Sequence, residues 1–298
     1  FYFGESETAR GPESTNGAIN VHETPYERAR RMIDNVAFSW LGPVFFVTLG
    51  SRLRFDSEMF SAALPLALLL FAGLFFGQIG NPAAHELIHR ADKRLMRLGQ
   101  LIYIAFLFGH HSSAHRLVHH IHVATPEDPN SARKGLGFWR FLPRAWIGSF
   151  RAGYAAEQAM SARAQGKRVN PYFWYVTGEF ACIVAVLIVF GWLGLLAYLL
   201  MAAHAQSQLL VSDYVQHYGL RRRPQPGGRF EPVGPQHSWN ARGWYSSAMM
   251  LNAPRHSDHH AHPSRPYPQL ILPPEAPLLP APLPAMSLIA LVPPLWRR

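Results

Sequence analysis

The stretch HELIHR, residues 85–90, contains two histidines four positions apart with a glutamate directly after the first. This is the H-E-x-x-H pattern, in which both histidines bind zinc from one face of a helix and the glutamate is the general base of a metalloprotease. His85 and His89 can therefore bind a metal together, with Glu86 as a candidate catalytic residue. Because a pattern this short also occurs by chance, the other histidines must decide what kind of metal centre this is.

The chain has sixteen histidines, and many are clustered at metal-ligand spacing. The clusters are His85 and His89, then His115, His119 and His120, then His217, and finally His256, His259 and His260. Residues three or four positions apart share a helical face, so we expect the pair 85/89, the pair 115/119 and the trio 256/259/260 each to point at one site.

The number of clustered histidines argues against a single zinc site. A catalytic zinc takes three protein ligands and a water, whereas eight or nine histidines suffice for two metals with four or five ligands each. Imidazole binds iron, zinc, copper and nickel, so the ligand type leaves the metal open. The remaining histidines are interpreted as packing or surface residues, namely His22, His110, His111, His122, His204, His237 and His262.

The composition indicates a membrane protein. Of 298 residues, 49% are hydrophobic and only 15% are charged, and the net charge is +10. The arginines flank apolar runs, as in positive-inside membrane proteins, and are not interleaved with aromatic residues as nucleic-acid binding would require. The single cysteine, Cys182, excludes a disulfide framework and a cysteine-based zinc or iron–sulfur site within this chain. The chain starts at Phe1, and we expect it to be a fragment without its natural N-terminus.

Apolar segments of about 20 residues predict four membrane passes. They are Ile33–Gly50, Met59–Gly80, Tyr172–Phe190 and Leu193–Val211. The segment Leu98–Gly109 has only twelve residues, so we expect an interfacial or re-entrant helix. The glycines at 191 and 194 predict the turn between the last two passes. This topology places every histidine cluster on the cytoplasmic side.

The predicted fold is all-α, a polytopic membrane helix bundle with a histidine-rich cytoplasmic di-metal site in a single domain, residues 1–298. Ten prolines lie between Pro266 and Pro294. Because proline breaks helices, we expect no regular helix there and an extended tail, residues 266–298, packed on the cytoplasmic face.

Six stretches together resemble the alkane 1-monooxygenases, membrane di-iron hydroxylases related to fatty-acid desaturases. They are AHELIHR, HRLVHHIHVATPEDPNSAR, DYVQHYGL, HSWN, RHSDHHAHPSRPYP and PPLWRR, in that order from about residue 80 to the end. The resemblance implies two iron ions held by nine histidines: His85, His89, His115, His119, His120, His217, His256, His259 and His260. Glu86 and Asp258 are then the candidate catalytic residues beside the ligands. Ala114, Asp213 and Gln216 depart from the family pattern of Glu, Asn and Glu, and family members have six transmembrane helices where four are counted here.

The resemblance further implies hydroxylation of the terminal methyl group of medium-chain alkanes to primary alcohols, with O2. Electrons would come from rubredoxin and its NAD(P)H-dependent reductase, for which the run Arg221–Arg223 is a candidate docking patch. The expected location is the bacterial inner membrane, with an apolar substrate entering from the bilayer. Aromatic methyl groups and fatty acyl chains stay open as substrates. The alternatives of another class are a membrane zinc metalloprotease and a metal-binding transport protein.

Overall fold

The computed structural model describes residues 57–165 and 168–296. The chain divides into two units, one of residues 2–67 and one that contains residues 68–298, and every contact reported below lies within the second. The described residues are mostly helical with almost no sheet, which confirms the all-α prediction. The predicted pass Ile33–Gly50 lies outside the described residues.

The described part of the chain contains eleven α-helices and one two-stranded sheet. The helices are α1 (Ser57–Phe75), α2 (Asn81–Ile88), α3 (Lys93–Ala105), α4 (His111–Ala114), α5 (His120–His122), α6 (Phe138–Arg163), α7 (Tyr172–His217), α8 (Trp244–Met249), α9 (His256–Ala261), α10 (Leu283–Ala290) and α11 (Pro293–Trp296). The antiparallel strands are β1 (Pro224–Gln225) and β2 (Arg229–Phe230).

Two π-helical turns interrupt this helical series. One, Phe76–Gly80, joins α1 to α2, and the other, His115–His119, joins α4 to α5. The residues Pro65–Ile88 are long and apolar enough to cross a membrane, so the helix that carries HELIHR directly continues a candidate span. The helix of the predicted pass Met59–Gly80 continues through the π turn into the histidine region.

Helix α3 follows α2 closely and packs back against it. Asp92 begins the helix by accepting a hydrogen bond from the backbone N–H of Arg94 at 2.7 Å. A Cβ at Gly99 would lie 2.8 Å from the carbonyl oxygen of Ala84, so glycine is what permits the close packing of α2 and α3. Thirteen residues make a helix of about 20 Å, shorter than the ~30 Å of a bilayer core.

Helix α7 is the second candidate span, and it contains a break. Gly191 has φ 67° and ψ −168°, which divides the 46-residue helix into two arms. Residues on both sides of the break contact one segment: the Tyr175 hydroxyl lies 3.0 Å from Ser113 Oγ, and Gln206 donates a hydrogen bond to the carbonyl oxygen of Phe106 at 2.8 Å. A straight helix of this length would extend about 69 Å, so the arms must fold back on each other. The predicted turn at Gly191 is confirmed.

The proline-rich tail corrects one expectation. It contains the helices α10 and α11, so the prediction that no regular helix forms there is wrong. Pro284 lies in the first turn of α10, where the missing N–H costs no intrahelical bond. The tail also closes the hydrophobic core, in which Leu283 and Trp296 are buried with Tyr103, Phe138 and Tyr214. That core joins α3, α6, α7, α10 and α11 beside the histidines.

Candidate metal centre

The histidines from distant parts of the chain converge into two groups. Within each group the candidate ligand atoms all lie within 4.8 Å of one another. The five-histidine group consists of His85, His89, His115, His120 and His259. The four-histidine group consists of His119, His217, His256 and His260. Together they contain all nine residues of the predicted set.

The π turn His115–His119 assigns neighbouring histidines to different groups. In this turn the i→i+5 spacing replaces i→i+4, so residues five apart lie together. Accordingly, the Nε2 atoms of His115 and His120 are 3.0 Å apart. The expectation that His115 and His119 point at one site is wrong, because His119 turns to the four-histidine group. π-Bulges are frequent at functional sites, and here the bulge separates two sets of ligands.

Helix α9 also contributes to both groups. His256 and His260, four positions apart, bring their Nε2 atoms to 3.1 Å. His259 points the other way, and its Nε2 lies 3.1 Å from that of His120. The prediction that the three histidines of α9 share one site is therefore correct for two of them only.

The remaining contacts bring histidines from separate helices together in each group. His85 of α2 places its Nε2 2.7 Å from Nε2 of His115. His217, at the end of α7, places its Nε2 3.0 Å from Nε2 of His256. Helices α2, α5 and α9, with the π turn, thus form the five-histidine group, while α7 and α9, with the π turn, form the other.

Burial keeps most of these imidazole rings neutral. Desolvation lowers the pKa of His89, His115, His120, His259 and His260, and the neighbouring histidines lower it further. Neutral imidazole is the form that binds a metal. Ring nitrogens about 3 Å apart, facing one another without an acid between them, make a donor set suited to transition metals.

Unpaired nitrogens inside the groups support the same conclusion. The Nε2 atoms of His89 and His119 are buried and have no hydrogen-bond partner. A buried polar atom without a partner costs free energy, which a metal–nitrogen bond would recover. The residues therefore fit one metal ion in each group.

A carboxylate orients one ring of the four-histidine group. Asp128 Oδ2 lies 2.9 Å from Nδ1 of His119 and accepts a second hydrogen bond from Ser131 Oγ at 2.6 Å. Burial disfavours the charged form of Asp128, but His119 and Ser131 hold the pKa of this carboxyl below its usual value. A proton on Nδ1 leaves Nε2 of His119 free for a metal, the arrangement in which a carboxylate positions a histidine ligand.

Asn130 extends this network to the cavity. Its backbone N–H donates to Asp128 at 3.1 Å, and its side-chain amide donates to Asp213 Oδ2 at 2.6 Å. Asp213 is buried in α7 and lines the cavity beside the histidines. Sequence reasoning did not assign Asp128 or Asn130 a role, although both lie in the motif that follows His120.

The two predicted catalytic carboxylates lie in different surroundings. Glu86 Oε1 contacts Arg90 and accepts a hydrogen bond from the backbone N–H of Tyr267 at 3.1 Å. Its side chain also lines the cavity next to His85. A catalytic role for Glu86 stays a prediction, and its contacts tie α2 to the C-terminal segment.

Asp258 holds the segment that follows α9. Arg265 donates to both of its oxygens at 2.6 and 2.7 Å, and the Ile271 N–H donates at 2.9 Å. Nδ1 of His262 lies 2.9 Å from the same carboxylate. Among the described contacts, none joins Asp258 to a candidate ligand. A catalytic role therefore stays a prediction, and the contacts favour one in positioning α9.

A cavity of about 70 Å³ lies against both groups. Its histidine wall consists of His85, His111, His115, His256 and His259. Its apolar wall includes Leu209, Met250, Leu251, Leu270 and Leu283. The cavity can therefore place a small apolar group or the end of an apolar chain beside the metal ligands.

His111 is a cavity residue that the sequence interpretation treated as packing. It is buried, its ring stacks on Phe108 at 5.1 Å and lies 5.0 Å from the ring of His115. Burial lowers the pKa of His111, and its Nε2 has no hydrogen-bond partner. Its position four residues before His115 is the one signal in the sequence that would have pointed to it.

The comparisons with known proteins agree with this geometry. Residues 61–272 match the family model of the fatty acid desaturases. The chain is 36% identical to alkane 1-monooxygenase 1 of Pseudomonas aeruginosa, over 78% of this chain and 62% of that protein. It is 31% identical to alkane 1-monooxygenase 2 of Alcanivorax borkumensis, over 97% of this chain and 76% of that protein.

A more distant relative has another substrate in its name. The chain is 28% identical to the xylene/toluene monooxygenase hydroxylase component of Pseudomonas putida, over 72% of this chain and 58% of that protein. The chain spans about three fifths of the length of the two Pseudomonas proteins. The resemblance inferred from the six motifs is confirmed by these matches.

Proposed function

Because this chain belongs to the fatty acid desaturase family, and its relatives of 31% to 36% identity are alkane 1-monooxygenases, we propose that it hydroxylates the terminal methyl group of medium-chain alkanes. The observation that carries the proposal is the convergence of nine histidines into two groups beside an apolar cavity. The family model does not choose between desaturation and hydroxylation, and the named relatives favour hydroxylation.

In this proposal each group holds one iron ion. The five-histidine group would supply imidazole ligands from α2, α5, α9 and the π turn, and the four-histidine group from α7, α9 and the π turn. When bound, the two irons supply the redox chemistry by which a methyl group, O2, two electrons and two protons become a primary alcohol and water. The network of Asp128 and Ser131 positions His119 for this role.

The cavity walls determine how an alkane would meet the site. Leu209 and Leu283 offer apolar contacts to a substrate, while His85, His115 and His259 bring candidate metal ligands to the same cavity. An alkane has no polar group to bind, so its position depends on apolar burial along the chain. A cavity of about 70 Å³ accepts only the chain end, and the rest of the alkane would extend between the helices.

The proposal includes a membrane-embedded, multi-pass chain in the bacterial inner membrane with its histidines at the cytoplasmic face. Two described helices are long and apolar enough to span, Pro65–Ile88 and Tyr172–His217. Since α7 folds back at Gly191, it would cross twice and return His217 to the side from which Tyr172 starts.

Electrons would arrive from rubredoxin and its NAD(P)H-dependent reductase. The predicted docking run has a second role, because Arg222 donates hydrogen bonds to the carbonyl oxygens of Ile121 and Glu231 at 2.9 and 2.6 Å. Arg221 Nη1 lies 3.5 Å from the carbonyl oxygen of Thr125. Arg223 uses its backbone N–H for Glu231, and no described partner holds its guanidinium. Arg223 is thus the best placed of the three for an acidic carrier.

The test is reconstitution of the purified chain in lipid with iron, rubredoxin, its reductase and NADH, with n-octane as substrate. We expect 1-octanol that carries one atom of isotopically labelled dioxygen. Toluene and a fatty acid serve as competing substrates. Labelled water as the source of the alcohol oxygen, or no oxidised product from any of the three, would overturn the proposal.

Two alternatives rest on specific observations. Hydroxylation of aromatic methyl groups is favoured by the match to the xylene/toluene relative. A zinc metalloprotease is favoured by His85-Glu86-x-x-His89 alone, but three further histidines lie within 4.8 Å of that pair, and Glu86 is held by Arg90 and Tyr267. A metal transporter would need labile binding, whereas the four-histidine group is completely buried.

A further inference from the structure

Helix α6 carries an exposed apolar stripe. Trp139, Ile147 and Tyr154 are 58%, 45% and 46% exposed. At 3.6 residues per turn these three positions fall within about 80° of one another around the helix axis. The opposite face contains Phe138, Phe141 and other residues that pack into the core. Glu157, at the same angle as Trp139, is buried, and Phe150 packs on Tyr172 from within the same angular range, so the exposed stripe borders the packing face of α6.

A row of arginines borders this stripe. Arg140, Arg144 and Arg151 are exposed and fall within about 40° of one another, directly beside the edge occupied by Ile147. Among the described residues, none of the three forms an ion pair with a carboxylate. Three cations are therefore available on the side of the stripe that faces away from the core.

Helix α6 packs against both arms of α7. Trp146 donates a hydrogen bond to Gln206 at 2.8 Å, and Phe150 packs on Tyr172 with 5.1 Å between ring centroids. Tyr172 begins the first arm, and Gln206 lies in the middle of the second arm, which runs from the break at Gly191 to His217. Phe138 and Phe141 pack on Tyr214, near the end of the second arm, so α6 also reaches the part of α7 that leads to His217.

The apolar surface continues beyond α6. The indole N–H of Trp139 donates to the carbonyl oxygen of Leu291 at 2.9 Å, which brings α10 and α11 next to the stripe. There Leu288, Val292 and Leu295 are 68%, 45% and 48% exposed. Contiguous apolar surface of this kind marks a protein or membrane contact.

We propose that α6 is a membrane-interface helix whose stripe enters the acyl boundary of the leaflet at the histidine end, while Arg140, Arg144 and Arg151 bind the phosphates of anionic lipid headgroups. The proposal rests on the membrane topology given under Proposed function. Tryptophan and tyrosine at the interface, with arginines at headgroup level, are the pattern of helices that lie in the membrane plane. An acidic protein would match the arginines but not the apolar stripe beside them.

Depth of insertion can be measured in lipid nanodiscs. In a Cys182→Ser background, single cysteines at Ile147 and Ala155 receive the same environment-sensitive fluorophore. Ala155 is exposed on the same helix but lies beyond the arginine row. We expect lipids with a nitroxide on the acyl chain to quench the label at 147 severalfold more than the label at 155. Equal quenching at both positions would overturn the proposal.

Headgroup binding can be measured by the lipids that stay with the purified protein. In mixtures of phosphatidylglycerol and phosphatidylcholine, we expect the wild type to retain phosphatidylglycerol preferentially. Changing Arg140, Arg144 and Arg151 to Gln should lower that preference about a hundredfold, since each basic residue near an anionic surface strengthens attraction about fivefold and the three factors multiply. The control variant removes the same charge outside α6, by changing the exposed arginines Arg133, Arg229 and Arg242 to Gln.

An unchanged lipid preference in the first variant would contradict the proposal. So would a label at 147 that ignores lipid but responds to an added acidic electron carrier, because the surface would then be a protein docking site. Neither readout needs bound iron or hydroxylation. A chain that inserts α6 but forms no alcohol would contradict the proposed function alone, and the iron content of each variant reports whether the fold is intact.

Discussion

The two histidine groups differ in how much of each is exposed to its surroundings. All four residues of the four-histidine group are buried, whereas His85, His89 and His120 of the five-histidine group are partly exposed. The cavity also lies mainly against the five-histidine group, through His85, His115 and His259. Substrate would therefore approach this group first.

The groups also differ in what holds the Nδ1 atoms of their rings. In the four-histidine group, His119 pairs with Asp128, and Nδ1 of His217 lies 3.4 Å from the carbonyl oxygen of His237. In the five-histidine group, Nδ1 of His115 and of His120 is buried and has no hydrogen-bond partner. A carboxylate that fixes a ring also strengthens metal binding. Two rings of the four-histidine group are thus oriented through Nδ1, although Nδ1 of His260 in that group is also buried without a hydrogen-bond partner.

The largest effect should come from removing ligands on α9. His259 and His260 are adjacent in sequence but belong to different groups. We expect His259→Ala and His260→Ala each to lose most hydroxylation and about one iron per chain, while membrane insertion is kept. Iron analysis and Mössbauer spectra should show that a different iron is retained in each variant.

The matched control for this pair is His204→Ala, a histidine of α7 outside both groups. It should keep its iron and its activity. Full activity in either α9 variant, or the same residual iron spectrum in both, would refute the division into two groups.

A smaller effect should follow from Asp128→Asn, which removes the carboxylate that orients His119. Changes of this kind typically lower metal affinity about 10–100-fold. We expect the loss in the four-histidine group alone, measured by competition with a chelator. Ser131→Ala removes only one hydrogen bond to Asp128 and should cost less. An equal loss from both groups would remove the distinction drawn between them.

Glu86→Gln tests a residue that lies beside the five-histidine group. Since Glu86 contacts Arg90 and Tyr267 and, among the described contacts, no histidine ligand, we expect retained iron and a loss of hydroxylation of about tenfold at most. The measurement is turnover together with iron content. Zinc-dependent peptide cleavage that disappears in this variant would instead favour the protease.

The smallest effect concerns electron delivery. Arg223→Gln should slow carrier-dependent turnover. It should also make turnover less dependent on salt, because salt screens charges beyond about 8 Å at 0.15 M ionic strength and glutamine has no charge to screen. Changing Arg221 and Arg222 as well should add a structural defect, since Arg222 bonds the carbonyl of Ile121 next to His120. Turnover driven by peroxide should be unchanged in Arg223→Gln. An identical salt profile would place the carrier elsewhere on the surface.

Spacing in the sequence predicted which histidines belong to the site, but not how they divide. Helical periodicity paired His115 with His119, and the π turn changed the partner to His120. Nothing in the residues 115–119 reveals an extra residue in that turn, so spacing alone could not assign the partner of His115. The carboxylate of Asp128 was missed because its contact with His119 needs a loop whose shape the spacing does not determine.

The sequence likewise predicted some elements of the fold and not others. The break at Gly191 was predictable because an apolar run of forty residues is twice the length of a span. The helix α10 was not, because proline density was weighed without regard to position, and Pro284 lies in the first turn, where it is tolerated.

Metal analysis of the purified chain tests the central claim most directly. If the two groups each hold an iron ion, the protein should contain two irons per chain, and His259→Ala and His260→Ala should each contain about one. A single zinc ion per chain would contradict the account if replacing His85 or His89 removes it. The contradiction would be complete if that zinc stays bound when His217 or His260 is replaced.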